Sequence, residues 1–255
     1  MTRSVILYAR VVVLSLLLAL CLALPAVADS GDVITVGETG ADFTSIQEAI
    51  DAAPEGGTVE IQAGMYTENV SIGKPLTLRA DSLVIVYAAD PILPVIMIHE
   101  TAGVTIEHVR VRGGEIGIGV FDASATIRDC SLKATETALS IVAFGPQQIR
   151  IEGCDFVEAE RGIGLGVLGS AVVEVVDSAF TGLPTGGLIG GAIGTTAFTR
   201  CTFTRCYDGL VIGGAANVVL TDVTFSNCYG TPYRIEALPV DHEPGTFVET
   251  GTVIE

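Results

Sequence analysis

A repeat with a nearly constant period runs through the chain and constrains its fold more than any other feature. Six short segments align, and each begins and ends with an apolar residue. The first residues of these segments are Ile106, Ile127, Ile151, Val175, Phe198 and Leu220, which are 21, 24, 24, 23 and 22 positions apart. A second apolar column that keeps step with them is predicted at Ile118, Leu139, Ile163, Leu188 and Leu210. Internal repetition at such a period is typical of a solenoid.

The strands within each repeat are too close together for a helical crossover between them. A coil in which each strand pairs with its equivalent one turn later, about 4.8 Å away, satisfies this spacing. The sequence therefore predicts an all-β fold, a right-handed parallel β-helix (solenoid) over residues 57–231. A β-sandwich is the main alternative, and it would not require constant spacing. Glycine pairs beside the second column, such as Gly186-Gly187, are interpreted as sharp turns.

Both ends of such a coil need to be covered. Residues 29–56 are predicted to form an N-terminal capping segment with a short helix, because Thr44 and Ser45 are good N-caps with Gln47 and Glu48 three positions later. An apolar stripe follows in residues 46–53, and Pro54 ends the helix. Residues 232–255 lose the repeat and are predicted to be a C-terminal cap or an irregular tail.

Residues 1–28 have the pattern of an export signal. Arg3 and Arg10 precede the apolar stretch Val11–Leu24, and Ala26-Val27-Ala28 is a small-residue cleavage site. An uncleaved anchor is the alternative. Cleavage would leave residues 29–255 without membrane insertion, and the expected location is secreted, periplasmic or at the cell surface.

The chain is strongly acidic. Its formal net charge is −17, and removing the two arginines of the export signal would make it −19. This balance disfavours nucleic acid as a partner, since nucleic-acid affinity depends on neutralising phosphates with basic residues. It equally disfavours anionic lipid surfaces. The sequence gives no prediction of the oligomeric state.

The segment Thr39–Ile72 resembles the opening of pectin methylesterases and other members of the pectin-lyase-like superfamily, and the later repeats are similar to those of NosD-type periplasmic proteins. The resemblance implies a parallel β-helix and makes carbohydrate the expected ligand class. The catalytic motifs of the esterases and polygalacturonases are missing: the chain has no tryptophan, and Gln147-Gln148 is followed by isoleucine and arginine rather than aspartate. No catalytic residue is carried over from these families.

The best candidate site lies where charged residues recur on neighbouring turns. Two carboxylates about 5 to 9.5 Å apart could hydrolyse a glycoside, and stacked turns could supply them. The catalytic candidates are Arg128, Asp129 and Asp155; Arg110, Arg112 and Lys133 are candidates for carbohydrate binding. In the alternative interpretation, Glu107, Arg128 and Glu152 form a ladder of surface ion pairs without a binding role.

Five cysteines lie beyond the export signal. Cys130, Cys154 and Cys201 share an inward column and are predicted to be buried thiols that act as small apolar residues. Cys206 and Cys228 are separated by the spacing of one repeat, which places them on adjacent turns. The sequence leaves two outcomes open, a disulfide between them or two free thiols. No metal site is predicted, because the copper site of a NosD-like protein would need a further ligand, and Met97 and His99 lie in an earlier turn.

Three functions follow from these observations. The favoured hypothesis is an exported, non-catalytic β-helix that binds polysaccharide or cell-envelope glycan. The first alternative is a carbohydrate-active enzyme, a lyase or hydrolase acting on a glycan that contains uronic acid, and calcium is considered as a cofactor only for the lyase. The second alternative is a NosD-like periplasmic protein that handles metal.

Overall fold

The fold is a parallel β-solenoid of about eight turns with one short helix, as the repeat predicts. The computed structural model describes residues 33–157, 162–190, 194–213, 215–236 and 245–255. The predicted export signal, residues 1–28, lies outside the described residues. No helix among the described residues is long and apolar enough to cross a membrane.

Each turn contributes up to three strands, and every strand pairs in parallel with its equivalents in the neighbouring turns. Ladder one consists of β1 (Val33–Val36), β2 (Thr58–Ile61), the first part of β5 (Leu76–Tyr87), the first part of β7 (Val104–Arg112), β9 (Ala125–Arg128), β12 (Gln148–Glu152), β15 (Val172–Val176), β18 (Thr195–Thr199), β21 (Asn217–Thr221) and β24 (Phe247–Thr250).

Ladder two consists of β3 (Gly64–Thr67), the second parts of β5 and β7, β10 (Ser131–Lys133), β13 (Asp155–Val157), β16 (Ala179–Thr181), β19 (Thr202–Thr204), β22 (Thr224–Ser226) and β25 (Val253–Ile254). Ladder three consists of β4 (Val70–Ile72), β6 (Ile96–His99), β8 (Ile116–Phe121), β11 (Thr137–Ala143), β14 (Ile163–Gly169), β17 (Thr185–Ile189), β20 (Asp208–Ile212) and β23 (Tyr233–Ile235).

The register confirms the first apolar column. Ile106, Ile127 and Ile151 are successive partners in ladder one and are fully buried. The second column is corrected at two positions: Leu165 and Gly187, not Ile163 and Leu188, continue it from Leu139 to Leu210. Ile163 and Leu188 point outward and are only half-buried.

Phenylalanine rings from ladder two stack along the core. Consecutive ring centroids lie 4.4 Å apart for Phe156–Phe180 and for Phe180–Phe203, and 4.9 Å apart for Phe203–Phe225. Like side chains on successive turns meet in this way because the turns are in register. The rings are almost fully buried, so they form the central packing of the C-terminal half.

Ladder three leaves room for these rings with glycines. A Cβ atom on Gly186 would lie 2.5 Å from Cδ1 of Phe203 and 2.5 Å from a carbonyl oxygen on the next turn, and Gly164 and Gly209 have the same surroundings. None of these three glycines has a positive φ. The interpretation of the Gly186-Gly187 pair as a sharp turn was therefore wrong at Gly186, where close approach of backbone and ring requires the missing side chain.

The helix α1 (Ile46–Ala52) covers one end of the core, as predicted. Ser45 is its N-cap, and its side chain accepts a hydrogen bond from the Glu48 amide. The Glu68 carboxylate also accepts hydrogen bonds from the amides of residues 46 and 47, at 2.9 and 3.1 Å. Ile46, Ala49 and Ile50 are buried.

The coil extends beyond residues 57–231 in both directions. β1 pairs with β2 before this range, and β23, β24 and β25 pair with β20, β21 and β22 after it. Residues 232–255 therefore contain a further turn of strands where the sequence repeat was no longer recognisable. Residues 237–244 of this segment lie outside the described residues.

We predict that Gly186→Ala destabilises the fold by about 3 kcal/mol or more, because the new methyl group would overlap a core ring and the neighbouring backbone. The matched control is Gly166→Ala in β14, where the nearest atom would be at 3.5 Å, an ordinary contact. Chemical denaturation of both variants measures the difference. Equal stabilities would contradict this account of the core.

Candidate functional site

Ladders one and two meet at a sharp corner in the turns from His108 onward. The backbone at this corner is left-handed, with φ between 50° and 62° at His108, Asp129, Gly153, Asp177, Arg200 and Asp222. His108 thus occupies the same corner position as the aspartates of the later turns. Such a conformation is uncommon for residues other than glycine, and asparagine, aspartate and histidine tolerate it best.

A cavity of about 340 Å³ opens at this corner, and we call it the corner cavity. It brings together three of the six predicted site residues, Arg110, Asp129 and Asp155. The remaining lining residues are Ser82, Leu83, His108, Cys130, Ser131 and Gly153.

One wall of the corner cavity comes from an irregularity in β5. Arg79 pairs with Glu107 and Val84 pairs with Val109, so the four residues between Arg79 and Val84 face a single residue, His108, of the next turn. Ser82 and Leu83 belong to this extra segment. Leu78 and Ile106 are 28 positions apart, compared with 21 to 24 positions between the six aligned segments, and this longer spacing is the sequence signal of the irregularity.

The acidic side of the corner cavity consists of Asp129 and Asp155. The Asp129 carboxylate lies 3.6 Å from Nε2 of His108 and occupies the space where a side chain at residue 153 would be, which glycine leaves empty. Asp155 is exposed and lies beside Ser131 in ladder two. The proximity of His108 to Asp129 was not predicted from the sequence.

Two arginines of ladder two differ in their surroundings: Arg110 lines the corner cavity, and Arg112 lies two positions further along the same strand, outside the lining. Arg112 is half-buried and donates hydrogen bonds to the carbonyl and hydroxyl oxygens of Ser131, at 2.9 and 3.1 Å. Burial, together with the charge of Arg110, lowers the pKa of Arg112. Arg110 is exposed and forms no ion pair with any described residue. Its guanidinium is therefore available to a ligand.

Arg128 is not part of the corner cavity. It lies in an alternating ladder on the outer face of ladder one, where Glu60, Arg79, Glu107, Arg128 and Glu152 are successive partners. Its guanidinium is 2.7 Å from Glu107 and 3.6 Å from Glu152. For Arg128 the arrangement matches the surface-ladder alternative. Each such exposed pair contributes roughly 0.2–1 kcal/mol.

Lys133 and Arg112 are partners in ladder two, and neither lines the corner cavity. A second cavity, of about 260 Å³, lies on the other side of ladder one, where Thr105, Thr126 and Gln148 approach the ion pair of Arg150 with Glu174. It contains none of the predicted site residues. Polar side chains thus line both margins of ladder one.

Cys130, Cys154 and Cys201 are buried thiols, as predicted. The neighbouring Cys154 thiol, together with burial, raises the pKa of Cys130. Burial also raises the pKa of Cys201 and of Cys206 to about 11. These raised pKa values keep the thiols of Cys130, Cys201 and Cys206 neutral at physiological pH.

Cys206 and Cys228 lie on adjacent turns, where the Tyr229 amide donates to the Cys206 carbonyl oxygen at 3.0 Å. Both are thiols in the structure, and the bridge between them stays a prediction. Met97 and His99 lie on ladder three, where Nε2 of His99 is 3.0 Å from Oγ of Ser71. Among the described residues, no group of three or more His, Cys, Asp or Glu side chains could hold a metal ion.

We predict that stability falls as pH rises from about 9 to about 11, because the thiols of the unfolded chain ionise while Cys201 and Cys206 stay neutral in the folded one. Each thiol contributes up to about 1.4 kcal/mol per pH unit in this window. Cys201→Ser should flatten the profile, and Ser178 shows that the column accepts serine. Cys228→Ser is the comparison: burial also raises the pKa of this half-buried thiol, so its removal should flatten the profile too, but less than Cys201→Ser does. Unfolding midpoints across the pH range are the measurement. Identical slopes for Cys201→Ser and the native chain would contradict the prediction.

Comparison with known proteins gives the fold and one partial relative. No protein-family model matches the chain. Over 107 residues it is 33% identical to a cell surface glycoprotein of Methanothermus fervidus, and this match covers 41% of the chain and 18% of the glycoprotein. The chain thus spans less than a fifth of that relative's length.

Solved structures resemble the whole solenoid. A pectin methylesterase from Aspergillus niger superposes with a TM-score of 0.63 at 15% identity, covering 89% of this chain and 86% of the esterase. A pectate lyase superposes with a TM-score of 0.65 at 12% identity, covering 87% and 76%. The chain therefore shares the parallel β-helix fold of these solved structures, the fold that the resemblance of its opening segment implies.

Proposed function

We propose that this protein is an exported β-helix that binds an acidic polysaccharide or cell-envelope glycan in the corner cavity. The observation that carries the proposal is the position of Arg110 beside the Ser131 hydroxyl and the carboxylates of Asp129 and Asp155 around one opening. The Arg110 guanidinium is exposed and forms no ion pair within the part of the chain that the structure describes. A planar guanidinium matches a sugar carboxylate geometrically, and the other groups match sugar hydroxyls.

Basic residues near the corner cavity support an acidic ligand, although the chain as a whole carries a negative net charge. The chain has a formal net charge of −17, yet Arg110, Arg112 and Lys133 lie together on two adjacent turns of ladder two. Arg110 and Arg112 are close enough for the charge of one to lower the pKa of the other. An incoming carboxylate would relieve this repulsion, and hydrogen bonds to Ser131 hold the Arg112 guanidinium in place.

The comparisons support the class of ligand and the location. The structural neighbours are named as enzymes of pectin and pectate, and one as an alginate lyase. The partial relative is named as a cell surface glycoprotein. A location outside the cytoplasm also agrees with the export signal predicted in residues 1–28.

We expect Arg110→Ala to weaken binding to polygalacturonate or alginate by about 10-fold or more, since it removes a charge-assisted hydrogen bond worth roughly 1.5–3 kcal/mol. Arg205→Ala is the matched control, because Arg205 is exposed, carries the same charge and lies at a different corner. Titration calorimetry with both polymers, and with neutral dextran, measures the change. Equal loss in both variants, or no binding by the native chain, would overturn the proposal.

Catalysis is the second candidate, because both predicted carboxylates line the same cavity. Asp129 and Asp155 are one turn and two positions apart, which corresponds to about 8 Å between their backbone positions and fits the range used by glycosidases. Binding without turnover is favoured, since Arg128, expected to complete the active site, pairs with Glu107 and Glu152 on ladder one.

Product analysis separates the two candidates. Under the favoured proposal, incubation with polygalacturonate or alginate, with and without calcium, releases neither reducing ends nor unsaturated sugars. An enzyme would release one of them, and Asp129→Asn or Asp155→Asn would abolish the release while leaving the unfolding temperature nearly unchanged. Turnover that is lost in these variants would replace the binding proposal with the enzymatic one.

A further inference from the structure

The second cavity, of about 260 Å³, lies on the outward side of ladder one near the start of its strands, and we call it the threonine cavity. Thr105, Thr126, Arg150 and Glu174 line it and are successive partners in the ladder. None of the predicted site residues belongs to its lining. The function proposed for the corner cavity therefore leaves the threonine cavity without a role.

A recess in the outline of the coil forms the threonine cavity. Between ladders three and one, 5 positions separate Val120 from Ala125, whereas the equivalent separations are 6 positions in the preceding turn and 8 in the following one. The short connection therefore lies between two longer ones. Hydrogen bonds fix its edge, because the Ser124 hydroxyl donates to Oε1 of Gln147 at 2.8 Å and accepts from the Gln148 amide at 3.0 Å.

Uncharged polar groups without partners line the threonine cavity. The hydroxyls of Thr105 and Thr126 and the side-chain amide of Gln148 form no hydrogen bond with any other residue that the structure describes. Each of these groups can both donate and accept a hydrogen bond, whereas a carboxylate only accepts and an ammonium group only donates. A matching ligand therefore carries groups that do both, as the hydroxyls of a sugar do.

The charges in the lining of the threonine cavity cancel. Arg150 and Glu174 are its charged members and lie 2.7 Å apart, and Arg150 is also 3.2 Å from Glu152. An arginine between two carboxylates attracts an acidic ligand less than the exposed Arg110 does. The threonine cavity therefore suits an uncharged sugar better than a uronic acid.

The threonine cavity and the corner cavity lie on the same turns. Thr126 lines the first and Asp129 lines the second, and three positions of extended strand correspond to about 10 Å, a length that a disaccharide spans. Thr105 and His108 repeat this arrangement in the turn before. Arg128 lies between the two cavities and is partly exposed. A glycan that follows the strand direction across ladder one therefore reaches both cavities.

We propose that one glycan occupies both cavities, with a uronic acid in the corner cavity and an uncharged sugar in the threonine cavity. This inference rests on the proposed function and specifies its ligand as a glycan in which each uronic acid has an uncharged neighbour. The threonine cavity, at about 260 Å³, is smaller than the roughly 300–1,000 Å³ of sites for drug-sized molecules. It therefore holds a single sugar ring, and the chain continues toward Arg110.

Calorimetric titration of the full chain with oligosaccharides of equal length tests the inference. Oligogalacturonate contains only uronic acid, whereas oligosaccharides of hyaluronan and rhamnogalacturonan alternate a uronic acid with an uncharged sugar. We expect the native chain to bind at least one alternating ligand about 10-fold more tightly than oligogalacturonate, because the uncharged sugar adds two or three neutral hydrogen bonds.

The double variant Thr105→Val, Thr126→Val should lose this preference and keep its affinity for oligogalacturonate, since valine preserves the shape and the β propensity of threonine. Thr77→Val is the matched control, because Thr77 precedes Thr105 in the same column and lies outside the lining. It should keep the preference. Gln148→Ala, at an exposed position, should weaken the preference independently of any effect of the valines on folding. Unfolding temperatures establish that each variant is folded.

The outcomes separate this inference from the proposed function. Equal affinity of the native chain for all three ligands, or a preference that persists in both the double variant and Gln148→Ala, would overturn the inference and leave the corner cavity as a site for uronic acid. If Arg110→Ala does not change the affinity for oligogalacturonate, or if the native chain binds none of the ligands, the proposed function itself fails.

Discussion

The structure depends on one constraint: each turn must keep the register of the turn before it, because its backbone hydrogen bonds go to the equivalent residues of that turn. This places like side chains over like, with isoleucine over isoleucine at residues 106, 127 and 151 and phenylalanine over phenylalanine along ladder two. A slip of one residue would turn outward polar side chains into the core. Because the neighbouring turns share one core, the penalty would extend to them as well.

The register of the turns also explains why large residues on one side of the core face small residues on the other. Ladder two contributes the phenylalanines, and ladder three contributes the glycines against which these rings pack. Protein interiors are filled at nearly constant density, so a large residue at one wall requires a small one at the facing wall. The high glycine content therefore reflects packing at these positions more than turning. Glycines at the left-handed corners, such as Gly153, allow the chain to turn.

The sequence predicted the fold and the first apolar column because a nearly constant spacing leaves few alternatives. It failed at Ile163 and Leu188, because ladder three is apolar on both faces and hydropathy alone does not distinguish inward from outward residues. Glycines face inward in ladder three, whereas the usual expectation is that the large apolar residues do so. The last turn was missed because its exposed strands, such as Phe247–Thr250, lack the large buried residues that identify the repeat. Of the residues that line the corner cavity, the sequence singled out Arg110, Asp129 and Asp155 as candidates, while the wall formed by Ser82 and Leu83 required the pairing of β5.

The candidate site lies where the repeat is interrupted, and this follows from the geometry of a solenoid. A regular coil has flat walls, and flat walls do not surround a ligand. The extra residues of β5 between Arg79 and Val84 break the register beside His108 and add a third wall to a corner that otherwise has two. Cavities in such a fold therefore depend on insertions that leave the ladders on either side intact. The sequence period identifies the ladders because they repeat. It cannot identify the ligand, because the wall that completes the cavity comes from residues that do not repeat.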